Sequence, residues 1–129
     1  MLTIEKITKA HSNVKSGADF PSYIREIKQL GVRYYEVFVI DGQSHYYDVN
    51  NHKISLPAKY DPLTIADSSQ TKQFKADLMA HQQGKTNYLR FCQDSAKSGI
   101  EKWTVHLENM TCSYYDKASN EIWIETIPG

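Results

Sequence analysis

The sequence predicts an α+β fold: a tandem pseudo-repeat of helix, helix, strand, strand, strand, with an antiparallel sheet and the helices packed on one of its faces. Three observations carry the prediction. Residues 31–54 lie without a gap on residues 99–122 at a constant offset of 68, and six of the 24 positions are identical: Gly31/Gly99, Val37/Val105, Tyr46/Tyr114, Tyr47/Tyr115, Asp48/Asp116 and Ile54/Ile122. Ordinary residue usage would give roughly one or two. Conservative exchanges at Val32/Ile100, Tyr35/Trp103, Val39/Leu107 and Ser44/Cys112 extend the likeness. In both halves the apolar period then changes from helical to strand-like, and the change falls at the glycine that opens the repeat.

Taken in order, Ile4, Ile7, His11 and Val14 recur at helical spacing with Thr3 placed to cap them, which predicts a first helix over about 4–14. Ser16, Gly17 and Ala18 break it. Phe20, Tyr23, Ile24, Ile27 and Leu30 draw a second apolar stripe, with Pro21 in the tolerated first turn and Gly31 at the stop. A strand over 32–40 follows, rich in aromatic and β-branched residues, and runs into Asp41-Gly42, a pair suited to a two-residue hairpin turn. Residues 43–49 return antiparallel, Asn50-Asn51 turns again, and 52–56 form a third strand. The segment 57–67, with Pro57 and Pro62, is an ordered linker between repeat 1 (about 1–56) and repeat 2 (about 68–129) of a single domain.

In the second repeat, Ser68 or Ser69 caps a helix that buries Phe74 and Leu78, with Met79 beside them, and ends at Gly84. Thr86 starts the next, whose face carries Tyr88, Leu89, Cys92, Ser95 and Ala96, and Gly99 stops it. Strands follow over 100–107, 111–115 and 121–127, with Trp103, Val105 and Leu107 alternating against Lys102, Thr104 and His106.

A two-residue turn at Asp41-Gly42 sets Val39 opposite Ser44, Val37 opposite Tyr46 and Tyr35 opposite Asp48 on one face, and Phe38/His45 with Glu36/Tyr47 on the other. Carried over by the offset, the first face holds Leu107/Cys112, Val105/Tyr114 and Trp103/Asp116, and the second His106/Ser113 and Thr104/Tyr115. The transfer requires Asn109-Met110 to turn as Asp41-Gly42 does. Cys112 then points with the apolar set and His106 away from it, so the two cannot form a thiol–imidazole pair. Cys92 sits on an apolar helix face, and both cysteines read as buried thiols. The second face gathers Glu36, Phe38, His45, Tyr47, His106 and Tyr115. These six are the candidate ligand or interaction residues, and none is assigned a catalytic role. Tyr34 and Ile40 also fall on this face, which would be an apolar patch if bare, so the other half, a second subunit or a ligand is expected to cover it.

Fifteen basic residues balance fifteen acidic ones, which argues against nucleic acid as a partner. No stretch approaches the length of a membrane span, and charges interrupt the first ten residues, so a soluble, unexported, cytoplasmic protein is expected, with no membrane partner. Two cysteines are too few for a disulfide scaffold. His81, Cys92, His106 and Cys112 lack the short paired spacings of a zinc site, and there is no glycine-rich phosphate loop, G-x-S-x-G elbow or H-E-x-x-H. Neither metal nor cofactor is therefore expected.

The runs HQQGKTNY (81–88), FC (91–92), SGIEKW (98–103) and TCSYYD (111–116), with YEVFVIDG (35–42) and TIEKI (3–7), resemble the YbcV-like family of small bacterial proteins. The resemblance spans nearly the whole chain. It implies a domain of unknown function, found in enterobacteria and other bacteria and in prophage-associated settings, whose members are sometimes labelled phage envelope proteins. It supplies no catalytic residues. The leading expectation is a non-enzymatic module that binds a small molecule or protein through the second face or the seam between repeats, as a monomer or homodimer. The alternative is a small hydrolase or isomerase with His106 or His45 as general base.

Overall fold

Residues 2–14 and 19–127 are described by the computed structural model of the chain. The predicted break at Ser16-Gly17-Ala18 lies outside them. Helix α1 (Ile4–His11) is capped as expected, the Thr3 hydroxyl accepting from the Lys6 amide at 3.2 Å. It ends one turn early. The Ser12 hydroxyl bonds back to the Lys9 carbonyl at 2.6 Å, and the amides of Asn13 and Val14 reach carbonyls only three residues back, a tightening that closes the helix. Ile7 is fully buried and Ile4 half exposed, so the buried stripe is narrower than the spacing suggests. Helix α2 (Phe20–Gln29) buries Tyr23, Ile24 and Ile27, and Gly31 follows it at φ 103°.

Strands β1 (Val32–Phe38), β2 (Ser44–Asp48) and β3 (Lys53–Leu56) come next, then α3 (Thr71–Gln82), α4 (Tyr88–Lys97), β4 (Lys102–His106), β5 (Thr111–Tyr115) and β6 (Glu121–Thr126). Three details in the second repeat depart from expectation. The N-cap of α3 is Gln70, without a side-chain bond, because the Gln70 amide is already held by the Ser98 carbonyl at 2.9 Å and the preceding serines pack against Gly99. Asn87, not Thr86, caps α4, its side-chain oxygen accepting from the Arg90 amide at 2.8 Å. Met79 and Leu89 are exposed, since Phe74/Leu78 and Phe91/Cys92 already define the faces that pack inward.

All six strands form one antiparallel sheet in the order β3-β2-β1-β4-β5-β6, so each repeat contributes three strands and β1 and β4 join them. The hairpin register differs from the two-residue-turn expectation: Val37 faces Ser44, Tyr35 faces Tyr46, Glu36 faces His45 and Tyr34 faces Tyr47. The loop spans four residues, 39–42, closed by Phe38 N–H to the Gln43 carbonyl at 2.9 Å. Val39 explains the change. Its side chain is fully buried and its amide bonds the Glu101 carbonyl on the far side, so the chain leaves β2 before it turns. A shift of two residues preserves which face each side chain occupies. The second hairpin repeats this register, with Trp103 opposite Tyr114, Val105 opposite Cys112 and His106 opposite Thr111. Met110, at φ 53°, takes the left-handed position that Gly42 takes at φ 78°.

Glu36 pairs with Thr104, its own counterpart at offset 68, and the flanking pairs Tyr34/His106 and Phe38/Lys102 exchange under the same offset. A pseudo-twofold axis therefore passes through the middle of the sheet. The side chains of Tyr35, Val37, Tyr46, Trp103, Val105, Cys112 and Tyr114 join those of the helices in the core, which places the helices on one face and leaves the other open.

Candidate functional site

Four aromatic pairs related by the offset line a single cavity of about 120 Å³: Tyr35/Trp103 and Tyr46/Tyr114 from the sheet, Phe20/Tyr88 and Tyr23/Phe91 from α2 and α4. Because each pair is split between the repeats, the cavity straddles the pseudo-twofold axis. An apolar cavity of roughly 150 Å³ accommodates benzene, so this one fits about a single ring. Tyr35 stacks on Tyr46 with centroids 4.5 Å apart, and Trp103 lies 5.6 Å from Phe91 and 6.1 Å from Tyr114. These contacts hold the walls without filling the space.

The polar groups break the symmetry. In repeat 1 the Tyr23 and Tyr46 hydroxyls bond each other at 2.6 Å. Beside them the His11 ring packs edge-on to Tyr23 and Tyr88, at 5.4 and 6.0 Å. The linker brings Lys59 to the same place, its ammonium 5.3 Å over the Tyr88 ring. Lys59 is an exposed residue overall, but desolvation at its ammonium end holds the pKa below the usual lysine range. Burial, with the Lys59 charge second, pulls the His11 pKa down to about 4, so this imidazole is neutral at pH 7.

In repeat 2, Phe91 replaces Tyr23 and offers no hydroxyl. The Tyr114 hydroxyl instead donates to Glu125 at 3.1 Å, and the Gln82 side-chain amide donates to both Glu125 oxygens, at 3.1 and 2.8 Å. His81 stacks on Phe91 at 4.5 Å with Nδ1 3.1 Å from the Thr86 carbonyl oxygen, and burial lowers its pKa. The cavity thus has an aromatic middle, a cationic end and a carboxylate end. Lys59 and Gln82, both exposed, mark where it reaches solvent.

Burial raises the Cys112 thiol on the cavity floor well above its usual pKa, and the Cys92 thiol rises for the same reason. Both are neutral at pH 7 and lack thiolate reactivity. Among the described residues, no group of three or more His, Cys, Asp or Glu side chains gathers to hold a metal. Cys112 and His106 occupy opposite faces of the sheet.

Glu36, Phe38, His45, Tyr47, His106 and Tyr115 lie on the open face, and none of them lines the cavity. The structure gathers four of them in two groups, while Glu36 sits between His45 and Thr104 in the strand register. Tyr47 stacks on Tyr34 at 4.5 Å, and Tyr34 is 6.1 Å from His106 across the β1–β4 junction. Phe38 meets His45 edge-on at 5.1 Å. Tyr115 stands apart under the Lys102 ammonium at 5.6 Å, in the place that Tyr47 holds under Tyr34. Ile40 lies beyond β1 and is exposed.

Over residues 8–126 the chain matches the family described as "Protein of unknown function (DUF1398)". The chain belongs to that family. The match runs from within α1 to the end of β6 and so covers both repeats. A search of the curated proteins finds no match. No helix among the described residues is long and apolar enough to cross a membrane.

The cavity residues escape a sequence reading because aromatic rings at core spacing look like core. One signal is present: Phe20/Tyr88, Tyr23/Phe91, Tyr35/Trp103 and Tyr46/Tyr114 are aromatic on aromatic at the same offset, beyond the needs of any one helix or strand. Lys59 and Glu125 carry no such signal, since their counterparts are Ile127 and Pro57.

Proposed function

We propose that the protein is a non-enzymatic binding module whose ligand site is the aromatic cavity at the seam of the repeats. The supporting observation is the set of four repeat-related aromatic pairs around a space of about 120 Å³. Duplicated packing surfaces would close if packing were their whole purpose, whereas these hold open a space the size of one ring. Turnover would need an activated group at the ligand. The Cys112 thiol and the phenols that line the cavity are instead kept protonated by burial, and among the described residues His11 has no hydrogen-bonded nucleophile beside it. A cytoplasmic setting accords with two free buried thiols. The finer affiliation, to the YbcV-like proteins and their prophage setting, rests on the motif resemblance and adds no residue to the site.

The test is ligand-induced change at Trp103 in a Trp123→Phe background, which leaves one tryptophan as reporter. Single-ring aromatic compounds shift its emission in that protein. Val37→Phe, which places a ring in the cavity, removes the response while the far-UV spectrum stays unchanged. A response that persists undiminished in Val37→Phe would place the ligand elsewhere and sink the proposal.

A further inference from the structure

The two ends of the cavity are not equally satisfied. Glu125 at one end already accepts three hydrogen bonds, two from Gln82 and one from Tyr114. At the other end, Lys59 and His11 both lie against the Tyr88 ring, and among the described residues neither side chain has a carboxylate or hydrogen-bond partner. An ammonium and an imidazole N–H brought together on an aromatic wall, without an acceptor, are matched by a small anion. We propose that the cavity takes a small apolar carboxylic acid, a single-ring aromatic carboxylate or one of similar bulk, with its ring in the aromatic seam and its carboxylate at Lys59 and His11. The inference rests on the cavity being the ligand site.

The size and the charge act together. A cavity of about 120 Å³ accepts one ring and excludes a nucleoside or a fused polycyclic group. The carboxylate stays at the rim, where Lys59 is exposed, so only the ring is fully desolvated. Both donors sit where they suffer from lacking a partner: desolvation disfavours the Lys59 charge, and that charge in turn disfavours protonation of His11. An arriving carboxylate relieves both penalties.

The experiment compares benzoate, benzyl alcohol and benzylamine, one ring carrying an anion, a neutral group or a cation, by titration against the Trp103 reporter in the full chain. Benzoate is expected to bind tightest. Lys59→Met, a change at an exposed residue that leaves the core intact, weakens benzoate by about ten- to a hundredfold and leaves benzyl alcohol nearly unchanged. Equal binding of benzoate and benzyl alcohol, or no effect of Lys59→Met on benzoate, overturns the anion assignment while leaving the cavity as a ligand site. Tighter binding of benzylamine overturns it too, and transfers recognition to Glu125. Silence from Trp103 with all three compounds fails the cavity reading itself, and this inference with it.

Discussion

The two repeats share an element order and much of their backbone, and differ in what they do with it. Helices α2 and α4 begin and end at offset 68, as do the left-handed positions Gly31/Gly99, Gly42/Met110 and Asn51/Ser119. The turns after β2 and β5 are built alike: Asp48 accepts from the amides of Asn50 and His52 at 2.8 and 2.9 Å, and Asp116 from those of Ala118 and Asn120, both at 2.9 Å. Side chains diverge where the copies meet. Tyr23 and Tyr46 satisfy each other, whereas the loss of one hydroxyl at Phe91 leaves Tyr114 to find Glu125. A symmetric frame thereby acquires two unlike ends, which a single-copy barrel or sandwich would have to build from unrelated loops.

The sharpest way to break the equivalence is at the glycines that follow α2 and α4. Both have positive φ, 103° at Gly31 and 81° at Gly99, so a side chain at either is strained by about 1–2 kcal/mol. Their surroundings differ. A Cβ on Gly31 meets nothing within 4 Å, while one on Gly99 falls 2.6 Å from the Ser68 carbonyl oxygen and 3.0 Å from the Ser69 Cα, backbone atoms that cannot swing away. Gly99→Ala is expected to cost about 3 kcal/mol or more, and Gly31→Ala about 1–2 kcal/mol, in urea denaturation. Equal losses would mean that the Ser68-Ser69 backbone leading into α3 does not press on Gly99 as described.

The imidazoles at the two ends offer a second comparison. His11 ionises freely only in the unfolded chain, near pH 6.5, because the folded value is about 4. Between those values the unfolded state binds more protons, so stability is fully present above pH 6.5, is lost as pH falls, and levels off below about 4. Allowing for its partial exposure, the loss is up to ~2 kcal/mol. His11 faces Lys59 from the linker, Tyr23 from α2 and Tyr88 from α4. At His81 the bond to the Thr86 carbonyl opposes desolvation. His11→Phe should therefore flatten the acid limb of the stability profile more than His81→Phe does. Equal flattening by the two variants would show that the ends are electrostatically alike, and the reverse order would show that His81 is the more perturbed.

How much of this could be read in advance depends on what each position demands. Glycine at φ near 90° and aspartate folding a turn over its own amides tolerate few replacements, so those positions kept their identity and revealed the offset. Helix positions demand only an apolar face, and α2 and α4 share no identical residue at offset 68, so the repeat fades there although the backbone does not. The sheet faces survived a wrong turn length because the error was even. The cavity was hidden for a different reason: it draws on helices, strands and the linker, and no local pattern records the space between elements.

The smallest expected effect tests whether the copies are equally settled in their shared conformation. Asn51 and Ser119 occupy the same left-handed position, at φ 62° and 65°, and both are exposed. Asparagine adopts that region with little strain, whereas serine gains less from it. Ser119→Gly removes the strain and loses no packing, though the unfolded chain gains freedom in exchange, leaving a net stabilisation of about 0.5 kcal/mol. Asn51→Gly has less strain to relieve against the same entropic cost, so its effect falls at or below zero. Thermal unfolding of the two variants in parallel measures the difference, and a larger gain at Asn51 than at Ser119 would reverse the assignment of which copy carries the strain.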